Sequence, residues 1–169
     1  RVLETAQFFK DYVNRVWMWK DFPGNKGLHD LGIDLVVLDN SDNFWAIQCK
    51  FYDQNASISK GDIDSFLSAG AMTFNYEGAN SSFSTLYIMS TTRKISGNAE
   101  AVMKDHKPAV IFFGPEDFKN CGIKWETFKR ETPESLISTE KKTLFPHQIK
   151  ARDQVLDGFL TNDRGRMIM

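Results

Sequence analysis

Apolar and polar positions alternate through two runs early in the chain. The first is Gly32-Ile33-Asp34-Leu35-Val36-Val37-Leu38 and the second is Trp45-Ala46-Ile47-Gln48-Cys49-Lys50-Phe51-Tyr52. Short runs rich in β-branched and aromatic residues predict strands. Asp39-Asn40-Ser41-Asp42-Asn43 between them predicts a turn, so the pair predicts a β-hairpin. Successive strand residues point to opposite faces. One face then carries Ile33, Leu35, Val37, Trp45, Ile47, Cys49 and Phe51 and is wholly apolar. The other carries Asp34, Val36, Leu38, Ala46, Gln48, Lys50 and Tyr52. A turn centred near Ser41 sets Asp34 across from Gln48 or Lys50.

The same patterning predicts the remaining elements. Val2, Ala6, Phe9, Val13, Val16 and Trp17 fall at helical spacing, which predicts one amphipathic helix over 2–20, broken by Pro23-Gly24-Asn25-Lys26-Gly27. Ser59 to about Asn75 predicts a second helix, with Asp62 near its positive end. Residues 77–82 are polar and turn-like. Strands are predicted at 85–90 and 109–113, with a short helix over 98–104 between them and a helical turn opened by Pro115. Strands joined through helices imply a mixed β-sheet flanked by helices, an α/β class. From Lys119 to about Lys142 the chain is charged with isolated apolar anchors, a helical connector. A helix from Leu144 through Leu160 and the start of a strand at 165–169 follow. The domain division is 1–120, a connector over 121–143, and a further domain beginning at 144–169.

Composition narrows the classes. With 41% hydrophobic and 25% charged residues over 169 positions, the chain can bury a core and is not disordered. The 14 Phe imply an aromatic-heavy interior. A formal net charge of −1 is low for a stand-alone nucleic-acid binder, so DNA affinity is expected from elsewhere in a larger protein or from a local basic strip. Two cysteines make no disulfide framework and no zinc site, and Cys49 is expected to pack on the apolar face. With no signal peptide and no membrane-length apolar run, a soluble cytoplasmic protein without a membrane partner is the expectation.

The chemistry sits on the hairpin. A carboxylate, an amide and an ammonium beside an apolar layer are costly to bury unless paired or bound to a metal. A hard divalent cation, Mg²⁺ or Mn²⁺, takes oxygen ligands. Asp34 offers a carboxylate oxygen, Gln48 an amide oxygen, and Cys49 its backbone carbonyl between them. Lys50 would orient water or stabilise charge on a phosphorane. The alternative is an Asp–Lys salt bridge on an ordinary hairpin. Lys60, Arg93 and Lys94 stand where loops or helix starts can touch DNA phosphates, although exposed cations are usually only solvated. His29 is close enough in sequence to Asp34 for a general base, against a plain loop role.

Gly32-Ile33-Asp34-Leu35 followed by Ile47-Gln48-Cys49-Lys50-Phe51-Tyr52 resembles the Mrr-type branch of the PD-(D/E)xK nucleases. The resemblance implies a restriction-endonuclease-like fold and a Mg²⁺-dependent DNA endonuclease. Asp34, Gln48 and Lys50 match its site residue by residue, with Gln48 where the wider superfamily has an acid. It also implies a metal-ligating acid on the preceding helix, for which Glu4 is the candidate, and gives Asp30 a supporting or loop role.

Phe145-Pro146-His147-Gln148, a helix, then Arg166-Met167-Ile168-Met169 resembles the entry to a superfamily 2 helicase motor. There Gln148 would read adenine. The Gly-rich phosphate loop is absent, so no ATPase activity is expected of this stretch, and ATP belongs to a full-length protein. A nuclease of this type joined to such a motor resembles the N-terminal part of a Type ISP restriction-modification enzyme. The implied partners are double-stranded DNA and downstream helicase, methyltransferase and target-recognition domains of the same chain. The alternative function is a non-catalytic DNA-binding or motor-coupling module.

Overall fold

The computed structural model describes residues 1–28, 30–139 and 144–161, and it falls into two units, Arg1–Thr139 and Glu140–Met169. The first unit is built on one mixed sheet. Its strands are β1 (Val13–Met18), β2 (Leu35–Asp39), β3 (Phe44–Lys50), β5 (Thr73–Tyr76), β6 (Ala79–Ser90) and β8 (Ala109–Phe113), with β4 (Ser57–Ile58) and β7 (Lys94–Ile95) forming a small pair apart from it. β1, β2 and β3 run antiparallel, and β3, β6 and β8 run parallel. The parallel steps are bridged by α3 (Lys60–Gly70) and α4 (Gly97–Asp105). A mixed sheet flanked by helices is therefore the architecture, as the sequence implied.

The turn between β2 and β3 fixes the geometry that matters. Asp39 accepts from the backbone N–H of Ser41 at 2.8 Å and of Asn43 at 2.9 Å, and Asp42 takes a left-handed φ of 62°. Such side-chain-to-backbone bonds are how Asp makes turns. The register that follows pairs Leu35 with Ile47 and Val36 with Ala46. Asp34, just before β2, is tied to the same residue that Leu35 pairs with: its N–H donates to the Ile47 carbonyl at 2.8 Å.

Two apolar layers sandwich the sheet. One gathers Val36, Phe44, Ala46, Leu86 and Ile88 against α3 and the rings of Trp17, Phe22, Phe74 and Phe83. Phe22 meets Phe74 at 5.2 Å, and Phe74 meets Phe83 at 4.8 Å. The other gathers Val37, Ile47, Tyr87 and Met89 against α1 (Val2–Thr5), α2 (Gln7–Lys10) and α5 (Pro115–Asn120). Cys121, Ile123 and Leu136 are buried in this second layer. The charged stretch beyond Lys119 is thus anchored to the first unit, where β9 (Ile123–Lys124) pairs with β10 (Ile137–Ser138) and the Gln7 amide donates to Thr139.

Several expectations are corrected. No helix covers 2–20: Ala6 is extended at ψ 132°, splitting α1 from α2, and Val13–Met18 is strand β1. Val13, Val16 and Trp17 satisfy helical spacing, but β-branched and aromatic residues also suit an edge strand, and pairing with β2 decides. The second helix stops at Gly70, since Thr73–Tyr76 pairs with Ala79–Ser82. Glu77 and Gly78, both at positive φ (50° and 86°), close that hairpin with a two-residue turn, so most of the polar 77–82 stretch is strand. Ile33 packs in the first layer and not with Leu35, because β2 begins only at Leu35 and Asp34, also bonded to Ile47, breaks the alternation between them. Phe51 lies past the end of β3 and is 92% exposed.

In the second unit α6 (Pro146–Thr161) is a helix, close to the expected bounds. The strand expected at 165–169 and His29 lie outside the described residues. No described helix is long and apolar enough to cross a membrane.

Leu86 is fully buried in β6 beside Gly70, where an added methyl would run into it. Leu86→Ala is expected to lower stability by roughly 2–5 kcal/mol, read by denaturant unfolding.

Candidate active site

The end of β3 and the approach to β2 open onto a polar cavity of about 330 Å³. Asp30, Gly32, Asp34, Gln48, Cys49, Lys50 and Ser65 line it. The three residues singled out on the hairpin face, Asp34, Gln48 and Lys50, are therefore brought to one cavity.

Each is held by its element. Asp34 is exposed, with its backbone tied on both sides: its N–H donates to Ile47 and its carbonyl accepts from Trp19 at 2.9 Å. Its carboxylate accepts from the N–H of Cys49 at 2.6 Å, a short charge-assisted bond. Gln48 is 4% exposed, and its Oε1 is buried with no hydrogen-bond partner. Gly32 makes room for that amide. A Cβ there would sit 2.9 Å from Gln48 Nε2 and 3.1 Å from Ser65 Oγ, and its φ of 80° is left-handed. Lys50 is half-buried, and its carbonyl accepts from the N–H of Thr91 at 3.1 Å on the β6 side. Backbone groups alternate sides along a strand. The Cys49 N–H that binds Asp34 thus shares its side of β3 with the Cys49 carbonyl, which faces the Asp34 edge.

The donors suit a hard cation. They are a carboxylate, an amide oxygen and a peptide carbonyl, and the buried amide oxygen lacks the partner that such groups otherwise find. No cluster of three or more His, Cys, Asp or Glu able to hold a metal occurs among the described residues, so any cation here relies on the neutral oxygens as well as on Asp34. Asp30 also borders the cavity, where its Oδ1 accepts from the N–H of Gly32 at 2.8 Å and shapes the loop.

Other expected residues are not brought here. Glu4 sits exposed on α1 and pairs with Arg1 at 3.5 Å, outside the lining of the cavity. The charged end of this short helix faces water, and Glu4 does not line the cavity. Lys60 pairs with Asp64 at 2.7 Å, Lys94 reaches Asn55 at 3.3 Å, and Arg93 is exposed; none of the three lines the cavity. Gln148 belongs to the second unit, where its Oε1 accepts from the N–H of Phe145 at 3.0 Å and caps its own helix.

Two side chains, the Asp62 carboxylate and the Cys49 thiol, were not singled out as part of a site. Asp62 closes a capping box on α3, accepting from Ser59 N and Oγ, each at 2.7 Å. Its carboxyl is held below the usual range by those Ser59 bonds, then by Tyr52 and the nearby charge of Lys50. The Ser59-x-x-Asp62 spacing signals the cap, but only the packing of α3 puts this carboxylate near Lys50. Cys49 is the second. It is exposed at the sheet's end rather than packed in the apolar layer, bordering both the polar cavity and an apolar groove. Desolvation, with the Asp34 charge adding to it, pushes its thiol up to about 11.

A family model described as restriction endonuclease (Mrr_cat_2) matches residues 4–135. Among solved structures the chain is similar to the "ATP-dependent Type ISP restriction-modification enzyme LlaBIII bound to DNA", at 27% identity and a TM-score of 0.69. That likeness covers 99% of this chain and 10% of the other, so the chain spans about a tenth of that protein's length. No curated protein matches.

Gly32→Ala is expected to cost about 1 kcal/mol or more through its positive φ, and to displace Gln48 from the cavity wall. Denaturant unfolding reads the first effect and metal affinity the second. Cys49 is expected to resist iodoacetamide at about pH 8, where an ordinary thiol reacts, and to react only as the pH nears 11. Asp34→Asn removes one of the two causes of that shift. Alkylation of Cys49 in this variant should begin at lower pH, as followed by mass spectrometry.

Proposed function

Because the chain belongs to the restriction endonuclease family, and so is a nuclease domain of a restriction system, we propose that it hydrolyses DNA phosphodiester bonds at the Asp34–Gln48–Lys50 cavity with a divalent metal ion. One observation carries this reading: the buried, partnerless oxygen of Gln48 lies beside Asp34 and Lys50 on the wall of one open polar cavity.

The residues take distinct parts. A divalent ion would be held by a carboxylate oxygen of Asp34, the amide oxygen of Gln48 and the peptide carbonyl of Cys49. When bound, Mg²⁺ or Mn²⁺ would polarise the phosphate and make hydroxide available near neutral pH. The Lys50 ammonium orients the attacking water and stabilises the negative charge that builds on the phosphate oxygens. Cys49 N–H fixes the Asp34 carboxylate, leaving its other oxygen to the cavity. With Gln48 where the wider superfamily has an acid the site is less anionic, so it would hold an ion less tightly than a two-carboxylate site.

The rest of the reading concerns a longer protein. Its motor would begin with the segment after residue 143, with Gln148 reading adenine and ATP bound at a phosphate loop further on. Target recognition and methylation would belong to other domains. A net charge of −1 gives this chain little affinity of its own for double-stranded DNA, so delivery by the motor supplies the substrate. Lys60, Arg93 and Lys94 would add phosphate contacts at the rim.

In the full-length protein, Asp34→Ala or Lys50→Ala is expected to keep ATP-driven translocation and to lower cleavage at least about a hundredfold. Calorimetric titration with Mn²⁺ should show binding to the unaltered protein and much weaker binding to the Asp34 variant. Cleavage at the normal rate by Asp34→Ala would leave the chain as a DNA-binding or motor-coupling module.

A further inference from the structure

Phe51 follows Lys50 directly and is 92% exposed. An exposed phenylalanine gives up roughly 1.5–3 kcal/mol of burial, so it calls for a reason. Floppiness is not that reason, because the backbone on either side is pinned by a single residue. The Thr91 N–H donates to the Lys50 carbonyl at 3.1 Å. The Tyr52 N–H donates to Thr91 Oγ1 at 2.8 Å, and that hydroxyl donates back to the Tyr52 carbonyl at 2.7 Å. Thr92 Oγ1 donates to the Ala56 carbonyl at 2.7 Å and steadies the rest of the loop. The fold holds the Phe51 ring out in water at the end of β3.

Its surroundings say what it meets. Lys50 borders two openings, the polar cavity and an apolar groove of about 320 Å³. Phe51 borders only the groove, together with Leu3, Leu35, Met89 and Phe118. A nucleotide has the same division, with an anionic phosphate at one end and an apolar base face at the other. Lys50 belongs to the lining of both openings, so a strand with its phosphate against Lys50 has the groove and its Phe51 rim on its flank.

We propose that Phe51 is a stacking platform for the base next to the scissile phosphate, and that this contact places the phosphate in the Asp34–Gln48–Lys50 cavity. This rests on the reading of that cavity as a phosphodiester site. Stacking on a phenyl ring tolerates every base, so the platform suits a nuclease with no sequence preference of its own. It also favours a base lifted out of the duplex stack at the cleavage step.

The test uses the full-length protein. Phe51→Ala should leave ATP hydrolysis and thermal stability unchanged and slow DNA cleavage roughly tenfold at limiting DNA, the size of one lost stack. Phe51→Tyr or Phe51→Trp should restore cleavage, and Phe51→Leu should not. With 5-iodouracil-substituted duplex bound to the Asp34→Asn protein, irradiation should give an adduct that mass spectrometry maps to Phe51. Full restoration by Leu would show a merely apolar contact, such as a neighbouring protein domain, and overturn the proposal. Wild-type cleavage by Phe51→Ala, with no adduct, would also overturn it and leave the hydrolytic reading standing. No cleavage by the unaltered protein would remove both.

Discussion

The register of one hairpin carries this structure. Asp39 turns the chain through two bonds to backbone N–H groups, and the centre of that turn decides which residue of β3 faces which residue of β2. A slip of one residue would send every side chain to the other face. Gln48 and Lys50 would then turn toward the second apolar layer, away from the cavity they share with Asp34. Burial of Val36 and Ala46 in one layer, and of Val37 and Ile47 in the other, penalises any such slip. The candidate chemistry is therefore locked by the same packing that makes the core.

The site is built where this packing runs out. β3 ends at Lys50, and the chain before β2 bends at Gly32. Gln48 is the last polar group pulled inside, and its amide needs the space that glycine leaves. Asp34 stays exposed but fixed, held by Trp19, Ile47 and Cys49. Fixing a carboxylate at the edge of an open cavity keeps it correctly placed, a form of preorganisation that a metal or phosphate site needs.

The end of β3 also joins two chemically different surfaces. A polar cavity and an apolar groove meet at Cys49 and Lys50. Desolvation, with the Asp34 charge adding to it, raises the Cys49 thiol where the two meet. Thr91 and Thr92, from the end of β6, tie down the loop that follows. Functional groups on β3 are thus supported by the neighbouring parallel strand and not by the hairpin alone.

The hairpin and its polar face were legible in the residues alone, because alternation with period two and an Asp/Asn-rich turn are local signals. The buried strands at 85–90 and 109–113 and the one helix between them were legible too, from short apolar runs and local helix signals. The edges were not. Val13–Met18 has a pattern that fits helix or strand, and only pairing with β2 chose. Thr73–Tyr76 became a strand because Glu77 and Gly78 could close a tight turn onto β6. Asp34, Gln48 and Lys50 could be named from spacing. That Glu4 does not line the cavity, and that Asp62 comes near Lys50, could not, because both depend on how helices dock against a sheet. Local periodicity is written residue by residue; the meeting of distant side chains is decided by burial of the whole core.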